Sequence, residues 1–274
     1  MKRILVPTDF SEQAENALKV AAQLAKKNES EIYVLNSLEL PTHLSSSGAN
    51  GAMPESLFFI KLAEKYFEEL LEKPYLEGLL IHEAIIGHGE VYKDVNEVVK
   101  EKNIDLVIMG SQGTNGFMEL FIGSNTEKVV RTSEIPVLVI KNNHEDFKTD
   151  NFVYATDFSE ECKIPFNQAK KFAEGTNTHI NLLYINTPSE FKTTIEINTK
   201  IRSFIRDMDD SNFSVHIYND ISIEKGILNF ASETNANLIG MGTHGRRGLA
   251  HFFNGSVSKD LVNHANMPVM TFKI

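Results

Sequence analysis

Asp105-Leu106-Val107-Ile108-Met109-Gly110-Ser111-Gln112-Gly113, then nine residues, then Gly123-Ser124, is the stretch on which the fold of this chain turns. A second stretch repeats it: Asn237-Leu238-Ile239-Gly240-Met241-Gly242-Thr243-His244-Gly245, nine residues, then Gly255-Ser256. Each is a short apolar run that reads as a buried strand, followed by G-x2-G-x9-G-S leading into a helix. Glycines let a backbone approach a ligand closely. A hydroxyl residue at a helix start lies beside unpaired N–H groups and the positive end of the helix dipole. Together these make a site suited to phosphate. The plainer alternative is a pair of ordinary turns in which Ser124 and Ser256 only cap helices, but two copies with identical spacing argue against it.

Outward from these blocks, strand and helix patterns alternate. In the first half, strands are expected over 2–6, 31–37, 80–86, 106–109 and 135–140, and helices over 11–27, 55–73 and 90–102, with another after Gly123. Residues 41–54 read as a loop. The order then repeats, with strands over 152–155, 179–185, 213–218, 238–241 and 268–272. Helices are expected to about residue 174, over 190–208 and over 223–234. Thr8-Asp9-Phe10-Ser11 after the first strand recurs as Thr156-Asp157-Phe158-Ser159. The two aspartates are 148 positions apart and Gly110 and Gly242 are 132 apart, so the second copy is shorter between these landmarks, best explained by loss of the 41–54 loop. This is a tandem duplication, with units at 1–141 and 151–274 joined by a polar linker at 142–150. Alternating strands and helices imply parallel sheets covered on both faces.

Composition narrows the function. The chain has 274 residues, 42% of them hydrophobic, enough for a core in each half. A single cysteine, Cys162, excludes an internal disulfide or a cysteine-based metal cluster, and the apolar start stops at Pro7. With no membrane-spanning run, a cytoplasmic protein is expected. The net charge of −10 argues against binding nucleic acid or an anionic membrane. Residues 1–141 carry net −7 and residues 151–274 net −1, so the second half is the more favourable host for a polyphosphate.

The Thr-Asp-Phe-Ser turn together with the doubled G-x2-G-x9-G-S resembles the ATP-binding branch of the universal stress protein family, as a tandem two-domain member. The resemblance covers nearly the whole chain apart from the linker. It implies an α/β fold of two tandem Rossmann-like, adenine nucleotide alpha hydrolase-like domains, each a five-stranded parallel sheet with four helices. It also implies ATP as the ligand, with Pro7, Thr8 and Asp9, and Thr156 and Asp157, beside the nucleoside. The backbone at Ser37 or Ile185 would read the adenine edge, and Gly110 or Gly242 would lie against the ribose. Around the phosphates the resemblance places Gly113, Gly123, Ser124, Asn125 and Thr126 in one half. In the other it places His244, Gly245, Arg246, Gly255, Ser256, Val257 and Ser258. Magnesium or manganese would be held mainly by the phosphates. The fifth strands would pair antiparallel, making an internal pseudo-dimer, and a further homodimer is allowed. The implied role is a stress-response regulator or nucleotide sensor acting through a partner.

Some residues admit two readings. Asp9 and Asp157 fit a capping box with Glu12 and Glu160 as well as a ligand contact. Arg246-Arg247 could be a loop tip or a phosphate clamp. Gly240 to Gly245 also spells G-x-G-x-x-G, but after the fourth strand of a unit, which disfavours a dinucleotide site. Gly87-His88-Gly89 reads as a turn, and the histidines show no metal-ligand spacing. Ala155 replaces Pro7, and Gln112 replaces His244, without removing a phosphate donor. The sequence lacks G-x4-G-K-[ST] and an evident base or arginine finger, so fast hydrolysis is not expected. A slow ATPase or phosphotransferase and a nucleotide-free interaction module are the alternatives.

Overall fold

The computed structural model describes residues 1–38, 52–86, 89–111, 123–206, 208, 212–243 and 255–274. The first unit runs β1 (Arg3–Pro7), α1 (Glu12–Asn28), β2 (Glu31–Ser37), α2 (Ala52–Leu71), β3 (Ile81–Ile86), α3 (Val91–Lys102), β4 (Leu106–Gly110), α4 (Ser124–Thr132) and β5 (Val137–Ile140). The second repeats the order as β6 (Asn151–Ala155), α5 (Lys163–Thr176), β7 (His179–Asn186), α6 (Thr194–Ile205), β8 (Phe213–Asn219), α7 (Ile223–Glu233), β9 (Leu238–Thr243), α8 (Gly255–His264) and β10 (Val269–Lys273). The strands are short continuous apolar runs because helices cover both faces of the sheet.

Within each unit the strands are parallel, in the order β3-β2-β1-β4-β5 and β8-β7-β6-β9-β10. β5 and β10 pair antiparallel through Val139 with Val269, Leu138 with Met270 and Val137 with Thr271, so ten strands form one sheet. Alternate residues serve opposite faces. Ile4 and Val6 join a core with α1, α2, α5 and α6, including Leu18, Phe67, Phe166 and Phe204. Leu5 joins the other face, with Val95, Val129, Ile227 and Leu261. Each core extends across both units.

Several local details differ from the sequence reading. The N-cap of α1 is Ser11, whose hydroxyl accepts the Ala14 N–H at 3.3 Å. Asp9 accepts the Ser11 N–H at 3.1 Å, so the aspartate forms a turn before the helix and the capping box with Glu12 is not the one used. A short 3-10 turn at Glu160–Cys162 precedes α5, which carries Pro165 in its first turn, where a missing N–H costs least. α6 starts at Thr194, four residues later than expected, because Thr193 and Glu196 form a reciprocal capping box. The linker is also more than polar chain. Phe147 is 2% exposed within the core, and Gln23 of α1 grips it by donating to the His144 carbonyl and accepting from the Phe147 N–H, both at 2.7 Å.

Candidate functional site

In each unit the strand order reverses between the first and fourth strands. Ligands of open α/β sheets sit outside the carboxyl ends of strands at such a point. β1 pairs with β4 and β6 with β9, so their carboxyl ends lie side by side. The Thr-Asp-Phe-Ser motif occupies the end of the first strand in both units and folds the same way. The Thr8 N–H donates to the Leu35 carbonyl at 2.8 Å, and Thr156 does the same to Leu183 at 2.9 Å. The Thr8 and Thr156 hydroxyls accept the N–H of Phe10 and Phe158, at 2.9 and 3.1 Å. Asp9 and Asp157 accept from Ser11 and Ser159, at 3.1 and 2.9 Å. These bonds hold Phe10 and Phe158 at positive φ, 61° and 59°, a conformation that a bulky residue adopts only when its surroundings impose it. Pro7 and Thr8 are buried and Asp9 is exposed, while Asp157 is half-buried.

The fourth strand ends in the glycine block. Gly110 has a packing reason: a Cβ there would lie 2.7 Å from the carbonyl oxygen of Gln13 and 2.8 Å from its carbon, so β4 reaches α1 at backbone distance. At Gly242 the nearest atoms to a Cβ would be side-chain ones, of Ile274 at 2.9 Å and Pro165 at 3.4 Å. Beyond Gly110, the Ser111 N–H donates to Ile140, and the Gly123 N–H returns to the Ser111 carbonyl at 2.6 Å. Gly123 is the N-cap of α4 and brings no capping side chain. Thr126 is buried and donates its hydroxyl to the Gly110 carbonyl at 2.8 Å, locking the first turn of α4 onto the end of β4. Ser124 is exposed and Asn125 half-buried at that terminus. Glu127 donates back to the Gly123 carbonyl, so the helix begins in earnest there. In the second unit, Gly255, Ser256, Val257 and Ser258 open α8. Gly113, His244, Gly245 and Arg246, with Gln112 and Arg247, lie outside the described residues.

The end of the second strand separates the two units. The Ser37 hydroxyl donates to the carboxylate of Asp94, which is 2% exposed in the first turns of α3. At the equivalent places of the second unit stand Ile185, buried, and Gly226 in α7. A Cβ on Gly226 would lie 2.7 Å from Ile185, so the glycine makes room for the larger side chain. A polar pair in one unit is thus an apolar pair in the other. One position earlier, Asn36 donates to the Thr8 carbonyl at 2.8 Å.

A further difference lies under Asp157. The Cys162 thiol donates to the Asp157 carboxylate at 3.2 Å and accepts from the Ser159 hydroxyl at 3.3 Å. Burial, and after it the Asp157 charge, raises the thiol from its ordinary 9.0 to about 11. Ala14 stands at this position in the first unit. Among the described residues no group of three or more His, Cys, Asp or Glu could hold a metal ion. Those candidate residues that are described therefore lie at or near the strand ends of the two switch points, and Thr126 ties the start of α4 to the end of β4. The sequence reading missed Asn36, Asp94, Cys162 and Gly226. Aligning the two halves at offsets of 148 and 132 would have exposed the Ser37/Asp94 to Ile185/Gly226 exchange.

Comparison with known proteins agrees with this architecture. The model of the universal stress protein family matches residues 1–141 and 213–273. A universal stress protein of Methanocaldococcus jannaschii is 34% identical over 159 residues, covering 52% of this chain and 96% of its own length. One from Synechocystis sp. aligns along the whole of both chains at 22% identity. The crystal structure of a universal stress protein from Archaeoglobus fulgidus covers 99% of this chain and 98% of its own, with a TM-score of 0.76 at 21% identity, a likeness of fold. Two units of one architecture, each built around the same turn and the same glycine crossover, and a family model matching both halves place this chain in the universal stress protein family.

Proposed function

We propose that the protein binds ATP and acts as a stress-response regulator or nucleotide sensor through a partner, in the cytoplasm. In this reading its domains are residues 1–141 and 151–274, joined by 142–150, and they work as an internal pseudo-dimer through β5 and β10. The observation that carries it is the pairing, at the switch point of the first unit, of the Thr8-Asp9-Phe10-Ser11 turn with the uncapped start of α4, a pairing whose sequence recurs in the second. The N–H groups at Ser124 and Asn125, just after Gly123, would face the phosphates, where the helix dipole favours negative charge. Asp9 would lie beside the ribose and adenine, and the β2 end at Ser37 beside the base. In the second unit Thr156, Asp157, Ile185, Gly242 and the start of α8 take the same parts. Magnesium or manganese would be held by phosphate oxygens, offsetting their charge.

Among the described residues no helix is long and apolar enough to cross a membrane, which is compatible with this role. Micromolar affinity corresponds to roughly −8 kcal/mol, within reach of a buried base and several main-chain donors. To test the reading, the purified protein is denatured and the released small molecules are chromatographed. Adenine nucleotide near one or two equivalents per chain is expected. Protein that carries none, and takes up none after incubation with ATP and magnesium, would contradict it.

A further inference from the structure

The side chain of Asn36 has half of its hydrogen bonding settled and half open. The Thr8 carbonyl can only accept, so the amide presents its NH2 group there, at 2.8 Å, and its oxygen must point away. Asn36 is only 7% exposed, and its Oδ1 is buried without a donor among the described residues. Buried acceptors in folded proteins are almost always paired, and an orphan one requires an explanation. Its position supplies one. Asn36 lies on the carboxyl end of β2, directly beside the Thr8-Asp9 turn at the switch point. By strand alternation it faces the same side of the sheet as Ile32 and Val34. There the ring of Phe10 lies 5.1 Å from that of Tyr66, which remains 40% exposed, offering an aromatic edge to a planar base.

The duplicated unit serves as an internal control. Tyr184 follows Leu183 as Asn36 follows Leu35, and both leucine carbonyls receive the N–H of the motif threonine. Tyr184 is 1% exposed and stacks 6.1 Å from Phe158, so the amide is replaced by a phenol whose buried hydroxyl can donate as well as accept and so does not single out an amino group. The next residue changes in the same sense, from Ser37 bonded to Asp94 to Ile185 packed over Gly226.

We infer that Asn36 makes the first unit selective for purines with an exocyclic amino group, by accepting a hydrogen bond from that group at Oδ1, and that the second unit lacks this selectivity. The inference rests on the nucleotide-binding reading above. An acceptor-only oxygen welcomes the amino group of adenine and leaves a purine without it unmatched, the kind of difference on which sites discriminate strongly. Asn36 is a specificity residue in this scheme, and Ser37 and Asp94 line the same polar strand end.

The test is equilibrium dialysis of the full-length protein, with magnesium, against ATP and against purine riboside triphosphate, which carries hydrogen in place of the amino group. One class of sites should bind the analogue about tenfold or more weakly than ATP, while a second class treats the two alike. Asn36→Leu should bring the two ligands together in the first class. Equal binding of both ligands by the wild-type protein at every site overturns the inference and leaves nucleotide binding intact, and this comparison needs no variant to fold. Discrimination that persists in Asn36→Leu also overturns it, since another group must then read the base. Binding of neither ligand brings down the nucleotide reading itself.

Discussion

Cys162 keeps its proton because its surroundings penalise a thiolate twice, first by burial and then by the Asp157 carboxylate 3.2 Å away. A group whose folded pKa is raised stabilises the fold fully below its unfolded value. That contribution disappears as pH climbs through the folded value. Here the window runs from an ordinary 9.0 to about 11. The urea midpoint of the wild-type protein should therefore fall further between pH 8 and pH 10.5 than that of Cys162→Ala, both measured with reductant. Equal falls would mean that the thiol is not held in this way. The contact could not be read from the chain, because nothing in the spacing of Asp157 and Cys162 says that a 3-10 turn folds one back on the other. The Thr-Asp-Phe-Ser turn was legible as a recurrence, but its geometry was not. The aspartates were as compatible with capping as with a ligand until Ser11 proved to be the cap.

At the scale of elements, the start of α4 and the seat of α1 on β4 carry separate consequences. A carboxylate at the first helical position complements the dipole but occupies the ground of a phosphate. Ser124→Glu should leave the protein as stable or more stable, by about 0.3–1 kcal/mol in urea unfolding, while weakening ATP binding at the first unit. Unchanged affinity would remove α4 from the phosphate site. Gly110→Ala would push a methyl group into the Gln13 backbone, which cannot yield as a side chain does, and should destabilise by about 1–3 kcal/mol. Gly242→Ala meets first the flexible Ile274 and the Pro165 ring edge, and should cost less. Equal costs would show that the two crossovers are packed alike. The elements themselves were legible because strands buried on both faces are apolar throughout and helices show a clear stripe. The ends of α6 and β10 were not, since a capping box at Thr193 and pairing with β9 set them.

For the whole molecule, the continuous sheet and the held linker make the two units one structure. Phe147 belongs to the shared core, and Gln23 fixes the chain at His144 and at Phe147 itself. Phe147→Ala should cost about 3–5 kcal/mol, seen as a shift of the entire unfolding transition. A loss confined to one of two separate transitions would instead mean that the linker serves a single unit. Duplication was plain in the sequence from Asp9 and Asp157 and from the paired glycine blocks. The burial of Phe147 was not, because a lone aromatic in a polar run carries no periodicity, and its partner Gln23 lies 124 residues away. The central claim, that a nucleotide binds at these switch points, is tested most directly by calorimetric titration of ATP with magnesium into the full-length protein freed of small molecules. Saturable binding in the micromolar range, weakened when Ser124→Glu and Ser256→Glu are combined, is the predicted result. The absence of saturable binding at millimolar ATP, from a protein that still unfolds cooperatively, would contradict it.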